Sequence, residues 1–437
     1  MPLSRLRRLW HAVREETPPP VVAPGHCSDA EVAALLAALG VAMVEVVQPT
    51  QLVTERLHAV AARYTTSRVR IATLPTLLVI QVGADHNQME ITTRSTTQLD
   101  HAGRVDTIAR LAAAGAIRPA DAITELTHIR HLPHRFNAVV TVLGYAITTL
   151  GFGMIIDPTW ASLWWHAALG LVVGTILAAG AAFPSLSAIV PTLAATTVTV
   201  LASWFIADAA NDDLMRVIGP SLVALLPGLW LTVGAMELAG GSIIAGASRL
   251  MYGGVQLLLL VFGVTIGIAI AGMPPPQQKS AQLGPWSFYA AVLVIAIGLY
   301  FYLSAPRGSL LWLTAAIGIA LIAQRVGADY LGASHSGAIG AALVVPFALL
   351  AAQIRTAPPM MVMVLAAFWS LAPGVLGFES LSERVTGGPA DSAAVVATVA
   401  GIFAIALGTL VSWSVLNAIG SRRERVAEDS EDGDGLG

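Results

Sequence analysis

The chain has 437 residues, of which 55% are hydrophobic and only 12% charged, with a mean hydropathy of +0.71. A soluble globular domain carries about 25% charged residues, so most of this chain is expected to sit in lipid. A net charge of −3 gives no nucleic-acid signal, and the lone cysteine, Cys27, excludes an internal disulfide framework and any multi-cysteine metal site.

Residues 1–28 read as a disordered basic tail containing Pro18, Pro19 and Pro20; no apolar run follows the basic start, so no cleavable signal peptide is expected. Residues 29–135 are expected to form a small cytoplasmic α+β domain. Asp29 is placed to cap a helix that stops at Gly40, with Glu31 in its first turn. A second helix is predicted over 50–64, with Leu52, Val53, Leu57, Val60 and Ala61 as its apolar stripe. Stretches 69–74, 76–82 and 88–94, with a turn at 83–87, predict two or three antiparallel strands. Helices near 99–114 and from Pro119 to His131 complete the domain. Asp85 and His86 read as turn polarity, and His101 and Asp106 as a solvated helix face. His128, His131 and His134 read as polar residues beside the membrane rather than as a metal site. No spacing matches a nucleophile elbow, a P-loop or a dinucleotide fingerprint. No cofactor, metal or catalytic residue is therefore expected, and direct ATP drive is not.

A bilayer core needs about 20 apolar residues in helix. Ten such runs follow, near 137–156, 161–182, 186–207, 216–236, 249–272, 286–304, 309–325, 332–352, 360–378 and 391–418. They fall into two groups of five, 136–273 and 285–420, before an acidic, disordered tail at 421–437. Pro227-Gly228 interrupts the fourth run, and Pro373-Gly374 interrupts the ninth, 146 residues further on; Glu237 and Glu383 follow at the same offset. The segment 157–165 resembles 304–312 at an offset of 147, through Ser162-Leu163 and Ser309-Leu310. Five is an odd number, so the second group enters the membrane in the opposite sense. The predicted fold is mainly α: a polytopic membrane protein with about ten helices in a 5+5 inverted repeat, carrying the small α+β domain. Basic residues at Arg130, Arg135, Arg249, Arg307, Arg355 and Arg422 place both termini in the cytoplasm.

Broken apolar helices in corresponding positions of two halves point to a transporter binding site. Pro227, Gly228, Pro373 and Gly374 are the leading substrate-binding candidates, because freed carbonyls and half-helix ends bind charged groups without a charged side chain. Thr192 and Thr196 could ligand a substrate hydroxyl, although threonine also bonds its own helix carbonyls. Glu237, Glu383 and His335 are the candidates for proton coupling. Arg325 and Asp329 read as a structural pair.

This outline resembles the bacterial threonine/serine exporter family over about residues 30–420. The resemblance rests on the N-terminal α+β domain, the two groups of five spans, Leu226-Pro227-Gly228 and Ala372-Pro373-Gly374 in the fourth span of each half, and segments 57–64 and 103–110. It implies a multi-pass protein of the bacterial inner membrane that exports threonine and serine, driven by the proton-motive force. Its partners would be a small amino acid, protons and lipid, without nucleic acid, and a homo-oligomer is compatible with it. Two alternatives stay open: a membrane-bound hydrolase acting through the N-terminal domain, and a passive channel.

Overall fold

The computed structural model describes residues 18–21, 25, 27–92, 98–183, 185, 187–206, 213–274, 281–371 and 396–416. Helix α1 (Asp29–Glu45) begins with a capping box. The Ser28 hydroxyl accepts from the Glu31 amide at 3.3 Å, and the Glu31 carboxylate accepts from the Ser28 amide at 3.0 Å. Asp29, the predicted cap, instead accepts from the hydroxyls of Ser67 and Thr65, both at 2.8 Å. These bonds, that from Ser67 foremost, hold the Asp29 carboxyl below its ordinary pKa. Gly40 does not end the helix. A Cβ there would lie 2.4 Å from a Leu78 methyl, so this glycine serves close packing on the sheet and α1 continues five residues past it.

Helix α2 (Thr50–Tyr64) follows, then strands β1 (Val69–Thr73), β2 (Leu77–Val82) and β3 (His86–Ile91). The strands form an antiparallel sheet in the order β1-β2-β3, with Val69 opposite Val82 and Leu77 opposite Ile91. Helices α3 (Leu99–Ala113) and α4 (Pro119–His131) complete this part. Leu35, Leu39, Leu57, Tyr64, Ile80 and Leu126 share one core, fully or nearly fully buried. Burying each such side chain contributes about 1.5–3 kcal/mol, which holds the small sheet against α1. The face of α3 expected to be solvated is buried. Arg56 reaches Asp106 at 2.5 Å and Arg110 approaches it at 3.8 Å, so the carboxylate is compensated inside the core. His101 on the same helix is 8% exposed, and burial pushes its pKa down.

The apolar part contains α5 (Ala138–Ile156), α6 (Leu163–Ala181), α7 (Val190–Ile206, closing on a π-helical turn), α8 (Leu214–Leu225), α9 (Gly228–Ala239), α10 (Ile243–Ala271), α11 (Trp286–Tyr302), α12 (Leu310–Leu331), α13 (Gly337–Ala351), α14 (Met360–Leu371) and α15 (Val396–Leu416). Among the described residues, α5, α6, α10, α12 and α15 are each long and apolar enough to cross a membrane. Helices α8 and α9 form one further apolar unit bent by 61°, while α7, α11, α13 and α14 are shorter apolar helices. Val139 and Leu143 on α5, and Ile244, Met251 and Phe262 on α10, are exposed apolar side chains suited to lipid. This is a multi-pass membrane protein.

Helices α5 and α11 are packed backbone to backbone and run antiparallel. A Cβ at Gly144 would meet the Tyr302 amide at 2.6 Å, at Gly151 the Ile295 amide at 2.9 Å, and at Gly298 the Thr148 amide at 2.4 Å. The α1–α4 unit sits at one end of the helices, the near end. There the amides of Leu99 and Asp100 donate to the carbonyls of Leu303 and Ser304 at 2.8 and 3.2 Å. Arg135 donates to the Ala305 carbonyl and stacks over Phe136 and Tyr300 at 4.7 and 5.3 Å. At the opposite, far end, Trp160, Trp164, Trp204 and Trp286 are exposed, the distribution of an interfacial aromatic belt.

Candidate transport path

The interruption at Pro227-Gly228 has a local cause. Pro227 has no amide hydrogen, and it ends the α8 segment with φ −77° and ψ 37°, outside the helical region. Gly228 then starts α9 in a new direction. Ser221 at the end of α8 gives its hydroxyl to the Ile218 carbonyl, and its own carbonyl accepts from the Tyr145 hydroxyl at 2.8 Å. Polar backbone exposed by the break is thus partly satisfied by α5. Pro373, Gly374 and Glu383, the second break and its carboxylate, lie outside the described residues.

Two cavities flank the shared helices. The first lies at the near end between the α1–α2 loop and helices α9, α13, α14 and α15. Val47, Leu52, Leu229, Met361, Val364, Phe368 and Trp413 make it largely apolar; Gln51, Glu55 and Thr409 are its polar groups. The second lies at the far end between α5, α11, α12, α13, α14 and α15. Its polar side chains are Gln324, Arg325, Ser334, Ser336 and Ser370. The Arg325 guanidinium lies over the Phe288 ring at 4.5 Å. Among the described residues no ion pair joins it to Asp329.

The cavities nearly meet. On α14, Phe368 lines the first and Ser370 the second; on α15, Thr409 lines the first and Ile405 the second. Two residues of helix span about 3 Å and four about 6 Å, so the two linings are separated by a barrier of no more than about one helical turn. The Thr409 hydroxyl donates to the Ile405 carbonyl at 2.8 Å, keeping that polar group satisfied within the barrier. The first break adjoins one cavity through Leu229, and Leu371, two residues before Pro373, adjoins the other.

Glu237 and Arg249 occupy the near end, each 1% exposed in its side chain, with Nε and Oε2 3.0 Å apart. The contact is close enough for an ion pair, but its angle is not that of an aligned hydrogen bond. The other Glu237 oxygen accepts from the Thr50 amide at 2.8 Å, at the N-terminus of α2, where a carboxylate is favoured by the helix dipole. Arg249 donates to the Gln48 carbonyl at 3.2 Å and lies 5.3 Å over the Trp230 ring. Gln51 donates to the Gly240 carbonyl. These contacts bolt the α1–α2 loop onto the α9–α10 hairpin. The loop is strained there: Val47, 1% exposed, has φ +59°; Ser304, whose carbonyl accepts from Asp100, has φ +50°.

The remaining predicted residues are distributed as follows. Thr192 donates to the Leu259 carbonyl at 3.1 Å, and Thr196 to those of Thr192 and Gly263 at 2.9 Å each. Both hydroxyls lie in the α7–α10 packing interface rather than on either cavity. His335 is exposed in the turn between α12 and α13, beside Ser334 and Ser336 of the second cavity. His128 and His131 are exposed on α4, and His134 meets the Gln98 side chain at 3.2 Å. Sequence reasoning missed Arg249 as the partner of Glu237. It also missed a buried pair at the far end, Asp157 and His166, 3.4 Å apart. The available signal was a histidine inside an otherwise uncharged apolar run, nine residues after an aspartate.

Comparison with known proteins gives a consistent picture. Residues 34–271 match the family described as "Putative threonine/serine exporter". Among curated relatives, pheromone-regulated membrane protein 10 of Kluyveromyces lactis is 26% identical over 191 residues, covering 41% of this chain and 20% of the relative. The protein of that name from Candida albicans is 26% identical over 166 residues, 37% of this chain and 15% of the relative. That from Saccharomyces cerevisiae is 44% identical over 52 residues, 12% of this chain and 14% of the relative. The chain thus spans a fifth or less of the length of these relatives. No solved structure matches it.

Proposed function

Because the chain belongs to the threonine/serine exporter family, we propose that it exports small amino acids, threonine and serine foremost, by alternating access driven by the proton-motive force. The observation that carries this reading is the pair of cavities at opposite ends of the bundle, separated by at most about one turn of α14 and α15. A channel would need one continuous path, whereas a carrier needs two vestibules and a thin barrier that moves. The near cavity faces the cytoplasm, beneath the α1–α4 unit, and the far cavity faces outward. In a bacterium this membrane is the inner one, with both termini cytoplasmic.

The helix limits support a 5+5 inverted repeat. Helices α11, α12, α13 and α14 begin 148, 147, 147 and 146 residues after α5, α6, α7 and α8 (286 against 138, 310 against 163, 337 against 190, 360 against 214). The antiparallel run of α5 against α11 is the relation that inverted first helices would have. Substrate would pass Pro227-Gly228, where α9 begins at the near cavity. Half-helix ends there would meet the amino acid's carboxylate and ammonium. Arg325, with Gln324 and Ser336, gives the far vestibule a carboxylate-binding wall.

The test is uptake of labelled threonine by proteoliposomes holding the full chain, with and without an imposed pH gradient. Gradient-dependent, saturable uptake that unlabelled serine competes away is expected. Uptake independent of the gradient sinks the proton-coupled version, and a non-saturating flux points to the channel.

A further inference from the structure

Asp157 and His166 form a buried titratable pair that the two cavities do not use. Asp157 follows the last residue of α5, and His166 lies on the first turn of α6. Their side chains are 1% and 0% exposed, with Nε2 and Oδ2 3.4 Å apart. The fold builds this position deliberately. Gly153 lies flat against the imidazole, where a Cβ would come within 2.3 Å of Cδ2. The turn is closed by the Thr159 and Ser162 hydroxyls, 2.5 Å apart, and by Ser162 donating to the Asp157 carbonyl at 3.3 Å. A strap before α11 is bonded to the turn on its far-end side: Leu283 donates to the Pro158 carbonyl at 2.7 Å, and Trp160 donates to the Ala281 carbonyl at 3.1 Å.

Ionisable side chains within an apolar membrane region are costly, and histidine is the side chain suited to gain and lose a proton near neutral pH. Among the described residues, other ionisable groups on the elements packed here are few. Helix α8 brings Arg216, with Asp213 before it; α5 carries Tyr145 deeper in the bundle, and α11 carries the exposed Tyr289. The pair also sits at a mechanical joint, because α5 is the helix packed backbone to backbone on α11.

We propose that Asp157 and His166 together bind the coupling proton, taken from the solution at the far end. Uptake converts an imidazole–carboxylate pair into an imidazolium–carboxylate pair, with one proton bound and no other bond made or broken; release returns the neutral imidazole. The charge change acts on the α5–α6 turn and, through α5, on its packing against α11. This rests on the proton-coupled reading of transport and assigns the proton to a site other than Glu237, Glu383 or His335.

The test uses the full chain in liposomes, as wild type, His166→Gln and Asp157→Asn, each first checked for an unchanged elution profile and melting temperature. Exchange of labelled threonine against unlabelled threonine without a pH gradient is expected to stay within about twofold of wild type, while gradient-driven accumulation falls at least about tenfold. Variants that retain gradient-driven accumulation overturn the proposal. A transport-independent arm follows the His166 imidazole by 15N resonance, assigned with the His166→Gln variant, as far-side pH is lowered from about 8 to about 5. A neutral-to-protonated change is expected, and an imidazole that keeps one state throughout overturns the proposal even if flux changes. Absence of wild-type exchange and accumulation alike overturns the transport reading and the coupling role with it, while the resonance still decides whether the pair binds a proton.

Discussion

Glu237 was singled out from the sequence as an ionisable residue at the edge of an apolar run; the fold gives it a partner the run did not reveal. Arg249 was read as a loop cation because the apolar count starts there, but α10 begins six residues earlier and carries it into the interior. Breaking a buried pair leaves an uncompensated charge and costs about 3–5 kcal/mol, whereas replacing both partners by apolar groups is often neutral. Glu237→Gln and Arg249→Met are each expected to lower the melting temperature of the full chain in detergent markedly. The Glu237→Leu/Arg249→Met double variant is expected to recover most of that loss. A double variant no better than the singles would show that this pair is not the bolt between loop and hairpin. His101 gives a second residue-scale expectation. Its folded pKa lies below the unfolded value, so the unfolded chain binds more protons between the two. Stability therefore falls as pH drops through about 6.5 and levels off below the folded value. The melting temperature of His101→Asn measured across that range is expected to show a shallower slope than wild type.

Helix limits were legible where a hydrophobic run and a helix end together, as at 137–156 against Ala138–Ile156. They were not legible where the helix outlasts the apolar run. Helix α12 was predicted to end at 325 and continues to Leu331, because backbone hydrogen bonds do not require the apolar side chains that Arg325 and Asp329 replace. Gly40 misled in the same way, since sequence cannot separate a glycine that stops a helix from one that admits a neighbour. That difference is testable on the apolar helices. Gly298→Ala places a methyl 2.4 Å from the Thr148 backbone and is expected to destabilise by about 1–3 kcal/mol, read as a fall in melting temperature. Gly254→Ala on α10 meets nothing within 4 Å and is expected to be neutral or stabilising by up to about 1 kcal/mol. The break at Pro227-Gly228 was legible because a glycine follows the proline; Pro220 and Pro346, without one, lie inside continuing helices. Changing both residues to alanine is expected to reduce gradient-driven threonine uptake at least about tenfold; undiminished uptake would remove the break from the path.

At the scale of the whole molecule, sequence periodicity pointed to two halves and two breaks, but not to the cavities. Cavities arise from which faces of α13, α14 and α15 leave space, a property of packing between segments distant in sequence. The α1–α4 unit was legible as α+β. Its docking was not, since it depends on main-chain groups of Gln48, Thr50, Leu303 and Ser304 rather than on a side-chain motif. The account stands on the two cavities opening in turn. Its most direct measurement places a single cysteine at Val364 in the near cavity or at Ser334 in the far one, in a Cys27→Ser chain reconstituted in liposomes. Each is probed with a membrane-impermeant maleimide from its own side. Saturating threonine is expected to shift the two labelling rates in opposite directions, one rising as the other falls. Rates that rise together, or that both stay high whatever ligand is present, would describe an open pore and contradict the account.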